Sequence, residues 1–96
     1  MLFRTMAVKK QIQDKMDLLQ KRIESYERQV DDYNDLIRKE EDKIQHTFSV
    51  SEARKIEEKL DYYRWEREYY WNKRNLVREK QDGMRLALDY LTGKIK

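Results

Sequence analysis

The side chains able to do chemistry in this chain are few and poorly placed for it. His46 is the single histidine and there is no cysteine, so a Cys/His metal site is impossible. Asp42 stands four residues before His46, a spacing that on a helix offers two ligands from one face. A histidine at a helix C-terminus is explained more simply by the helix dipole, and no metal role is expected. Carboxylates cluster at Asp31, Asp32 and Asp35, and again at Glu40, Glu41 and Asp42. Di-metal sites in helical bundles need inward-facing Glu and Glu-x-x-His pairs on several helices, and the histidines for that are missing. Ser49 and Ser51 have no base beside them beyond His46, so no nucleophile is indicated. With two glycines in all, Gly-rich phosphate loops and dinucleotide-binding turns are excluded. The expectation is a protein that is not an enzyme, with no catalytic or metal-binding residue and no cofactor.

Surfaces carry the stronger signal, and they presuppose helices. Ile12, Met16, Leu19, Ile23, Tyr26, Val30, Tyr33, Ile37, Glu40 and Ile44 are separated by alternating steps of four and three. Only Glu40 among them is polar. That 3.5-residue period is the seam of a coiled coil. Taking Ile12 as heptad position d puts Met16, Ile23, Val30, Ile37 and Ile44 at a. A second tract has the same alternation: Ile56, Leu60, Tyr63, Arg67, Tyr70, Arg74, Val77, Gln81, Met84, Leu88 and Leu91. Its polar members, Arg67, Arg74 and Gln81, all fall at a, where polar residues set register and partner number.

Between the tracts the heptad phase slips by two residues, whereas continuous coiled coils absorb insertions of three or four. The intervening segment runs from His46 to Glu52. Ser49 and Glu52 stand at capping-box spacing, with Phe48 and Ala53 placed as a hydrophobic staple. The reading is therefore all-α: two long antiparallel helices forming a coiled-coil helical hairpin. A single domain over 1–96 is expected, with helix 1 at about 4–45, a turn at 46–49 and helix 2 at about 50–92. A reversal there pairs seam residues whose numbers sum to about 97, so Tyr33 meets Tyr63 and Tyr26 meets Tyr70. Arg67 and Arg74 fall opposite Val30 and Ile23, with Glu27 between them as a partner for one or both. Gly83 lies inside the second tract with the phase unbroken, which predicts a continuous helix with a possible bend. Gly93 reads as a C-terminal cap. No ligand-sized pocket is expected in a two-helix seam.

The second helix carries more apolar surface than the seam uses. Tyr62, Trp65, Tyr69 and Leu76 occupy c and f positions on the far side, and Trp71 flanks the seam at e. Aromatic side chains cover about 150–250 Å² each, so three of them wholly exposed would offer on the order of 450–750 Å². The largest apolar patch on an ordinary monomer is about 300–600 Å². A lid is expected. Dimerisation into a four-helix bundle is the commonest solution, and a docked protein partner is the other, since Trp, Tyr and Arg dominate interface hot spots.

Charge is distributed unevenly about a net +3. Residues 1–22 hold six basic and two acidic groups, residues 75–96 five and three, and residues 31–60 six and nine. A hairpin gathers the basic segments at its terminal end, where Arg4, Lys9, Lys10, Lys15, Arg78 and Arg85 are candidates for nucleic-acid contact. Along the rest, i,i+4 pairs such as Glu24–Arg28 suit a solvated face.

The start of the chain lacks the apolar core of a secretory signal. No apolar run suffices for a membrane span. The expected setting is cytoplasmic, away from membranes and small-molecule ligands. The leading expectation is a small protein–protein interaction module of adaptor or inhibitor type. A phage or mobile-element accessory protein that blocks a host machine would fit this description. A nucleic-acid-binding accessory protein acting through the basic end is the alternative.

Overall fold

The structure is a computed structural model that describes residues 2–93, with side chains from Met6 onward. Helix α1 spans Leu2–Gln45 and helix α2 spans Val50–Leu91. No strand occurs among the described residues. The heptad tracts lie wholly within these helices, and the phase slip falls in the turn between them. Helix α2 runs through Gly83 without interruption.

Side-chain caps close the turn. The last turn of α1 ends with the His46 amide donating to the Lys43 carbonyl at 3.1 Å. His46 Nδ1 donates to the Asp42 carbonyl at 2.8 Å, which satisfies one of the carbonyls a helix end leaves open. At the start of α2 the Glu52 amide donates to Ser49 Oγ at 3.3 Å, as an N-cap requires. The reciprocal half of the expected capping box is rearranged. The Glu52 carboxylate accepts from the Thr47 hydroxyl at 3.0 Å, and the Ser49 amide donates to Thr47 Oγ1 at 3.4 Å. Thr47 thus relays between the two groups. The staple does not form: Phe48 is fully exposed. With Thr47 tied to Glu52, the turn directs the phenyl ring outward.

Two compact units divide the chain. One comprises Met1–Ser25 with Arg74–Lys96, the other Tyr26–Lys73. The second is a helical hairpin closed by the turn. Its core is Val30, Ile37 and Leu60, flanked by the tyrosine pairs the register predicted. Tyr26–Tyr70 and Tyr33–Tyr63 ring centroids are 6.2 and 6.0 Å apart. In the first unit Met16, Ile23 and Val77 form the core, with Ile23 wholly buried. Gln81 is buried there too, donating to the Met16 carbonyl at 3.4 Å and to Gln20 Oε1 at 2.8 Å. At the end of α2 the Thr92 amide bonds the Leu88 carbonyl, and Gly93 follows with φ at +75°. That is the left-handed cap glycine supplies without steric cost.

Candidate interaction surface

The aromatic face of α2 is organised by ring contacts within Tyr26–Lys73. Trp65 stacks on Tyr69 with centroids 6.0 Å apart and planes 19° apart. The two residues stand four apart on the helix, so their side chains are neighbours on one face. Lys73, four residues further on, places its ammonium 5.4 Å from the Tyr69 centroid, a cation–π arrangement. Tyr62 meets Tyr63 at 5.9 Å. Tyr63 and Tyr70 in turn both pack on Tyr33 of α1. The outward rings are thereby tied to the seam rings, which restrains them.

Their exposure is partial. Tyr62, Trp65 and Tyr69 keep between 44% and 63% of their surface open. On about 150–250 Å² per ring, the three present on the order of 250–400 Å². This is less than the wholly exposed reading gave, because stacking between the rings covers much of it. The patch lies within the range of an ordinary monomer.

Trp71 stands apart from this stack. It lines a groove of about 400 Å³ with Val30, Asn34, Arg64, Arg67 and Glu68. Leu76 is exposed as expected, but it belongs to the other unit.

The polar seam residues have specific partners. Arg67 donates from Nη1 to Asn34 Oδ1 at 2.9 Å, so the partner expected at Glu27 is an amide on the next turn of α1 instead. Arg74 Nη1 donates to Asn75 Oδ1 at 3.1 Å. Glu27 is half-buried. The acceptors of Gln81 and Arg67, Gln20 and Asn34, both occupy heptad position e, fourteen residues apart. A polar e position facing a polar a position was therefore visible in the spacing, had e been paired with a across the seam.

The basic candidates lie in the unit formed by the two chain ends. Lys10, Lys15, Arg78 and Arg85 are exposed and Lys9 is half-buried. The Arg4 side chain lies outside the described residues. None of the five described ones takes part in the ion pairs of the structure, which are Arg38–Asp35, Lys43–Glu40, His46–Asp42 and Arg64–Asp61. The expected Glu24–Arg28 pair is not formed, and Glu24 accepts from Gln20 instead. Lys15 also borders an apolar-floored groove of about 490 Å³, with Leu18, Leu19 and Met84 below and Lys21 and Arg22 at the rim. Open grooves of this size on the seam's flanks were not expected. They arise because a two-helix layer leaves c and g side chains without a neighbouring helix.

Among the described residues no group of three or more His, Asp or Glu side chains could hold a metal ion. No helix there is long and apolar enough to cross a membrane. Comparison with family models, curated proteins and solved structures returns no match.

Proposed function

We propose that this is a small non-enzymatic protein–protein interaction module, cytoplasmic and of adaptor or inhibitor type, that works by occupying a surface on another protein. The observation that carries the reading is the stacked Trp65–Tyr69 pair, held half-open on α2 and braced by Tyr70 and Lys73. Rigid aromatic side chains lose little conformational freedom on binding, which suits them as anchors. A second copy of the chain is the first occupant proposed, giving a four-helix bundle. A host protein blocked by a phage or mobile-element product is the second.

The test is the double variant Trp65→Ala with Tyr69→Ala. Sedimentation equilibrium and partner capture should show association lost while circular dichroism shows the helix content unchanged. Association that survives both substitutions refutes the assignment of the surface.

A second reading rests on the exposed Lys10, Lys15, Arg78 and Arg85, none of them ion-paired. They suit a phosphate backbone, and such binding would weaken steeply with salt. The triple charge reversal of Lys9, Lys10 and Lys15 should abolish it. Absence of any mobility shift with DNA or RNA at low salt eliminates this reading.

A further inference from the structure

Glu40 is the one acidic residue of the first heptad seam, and it is 6% exposed. Its Oε1 accepts from Lys43 Nζ at 3.2 Å. Its Oε2 is buried with no hydrogen-bond partner. A buried carboxylate oxygen left in this way is unfavourable unless something donates to it. Glu40 forms part of the wall of an open groove of about 400 Å³ beside the turn, with Lys43, His46, Lys55, Ile56 and Lys59 around it. Lys55 and Lys59 are one helical turn apart, where like charges repel. Neither has an ion-pair or hydrogen-bond partner among the described residues.

These features define what can fill the groove. The occupant must carry negative charge for Lys55 and Lys59 and also offer a proton to Glu40 Oε2. A cation meets the lysines, and an anion without a proton sets its lone pairs against the carboxylate. We propose that the groove binds hydrogen phosphate, whose anionic oxygens face the two lysines while its P–OH group donates to Glu40. Inorganic phosphate keeps a proton at neutral pH, and sulfate does not. A phosphate monoester, with its second pKa near about 6, has largely lost its last proton there. The site therefore selects free phosphate over phosphorylated side chains.

The test is a nuclear magnetic resonance titration of the full chain at pH 7, with ionic strength held constant to remove general screening. The probes are inorganic phosphate, sulfate and phosphoserine. Phosphate should give saturable shifts at the amides of residues 40, 43, 55 and 59, at least about tenfold tighter than the other two anions (about 1.4 kcal/mol). Glu40→Gln, which offers an amide donor in place of the carboxylate, should bring sulfate to within about threefold of phosphate. The surface double variant Lys55→Gln with Lys59→Gln should lose the phosphate response while keeping its helix content. Equal responses to phosphate and sulfate in the unmodified protein would reduce the site to non-selective lysines. No saturable shift would mean that solvent alone satisfies Glu40. Either result overturns the proposal.

Discussion

Tyr69 meets Tyr70 edge to face, with ring centroids 5.4 Å apart and planes at 84°. Tyr70 is a seam residue packed on Tyr33 at 5.9 Å, and Tyr69 is an outer residue stacked on Trp65. The contact therefore joins the buried ring cluster to the exposed one. Aromatic pairs of this geometry contribute about 0.5–1.5 kcal/mol beyond burial. A double-mutant cycle of Tyr69→Leu and Tyr70→Leu, read by urea unfolding, should give a coupling energy in that range. Coupling indistinguishable from zero would show the outer rings to be independent of the seam.

Core and groove positions on α1 should differ sharply in sensitivity. Ile23 is wholly buried, whereas Leu18 remains more than half exposed on the floor of a surface groove. Ile23→Ala removes buried methyl groups and leaves a cavity, at a cost of about 2–5 kcal/mol. Leu18→Ala should fall within about 0.5 kcal/mol of the parent. Similar losses at the two sites, measured by thermal or urea unfolding, would contradict the burial pattern.

These two residues also show where the sequence is informative. Ile23 stands at an a position, and the period alone places it in the seam. Tyr26, Tyr33, Tyr63 and Tyr70 follow from the same rule, because a 3.5-residue repeat leaves one face per helix to bury. What the period does not encode is the choice among polar partners within reach. Arg67 selects Asn34 and Glu52 selects Thr47, each by side-chain length and rotamer. Phe48 was misread for a related reason. A staple requires the chain to enter the helix at a particular angle, and that angle is decided by the Thr47 hydrogen bonds. The exposure of the outer aromatic face was overestimated because ring stacking along a helix cannot be read from spacing alone.

Alkaline pH should weaken the fold through Tyr33. Its phenol is held above the usual pKa of 10.0, first by desolvation and then by the charges of Glu66, Tyr62 and Tyr70 and a hydrogen bond to Glu66. A raised pKa means the folded state keeps the proton longer than the unfolded state. The associated stability is therefore complete below about pH 10 and is lost as pH rises through the folded value. Tyr33→Phe removes this titration, so its unfolding free energy should decline less steeply above about pH 10 than that of the parent. Parallel declines in the two proteins would assign the alkaline loss to other groups.

The two glycines should respond to alanine with opposite signs. Gly83 lies inside α2, and a Cβ added there would meet nothing within 4 Å. Alanine at this position keeps the helical backbone, fills only open space and removes the entropy that glycine gives the unfolded chain. Gly83→Ala should therefore stabilise the protein by about 0.4–1 kcal/mol. Gly93 also has open space around it, but its φ of +75° belongs to the left-handed region. There the penalty comes from the backbone rather than from neighbours, and Gly93→Ala should destabilise by about 1–2 kcal/mol or unwind the last turn of α2. Matched urea titrations of the two variants separate these origins. A destabilised Gly83→Ala would mean that the helix interior carries a constraint its open surroundings do not reveal.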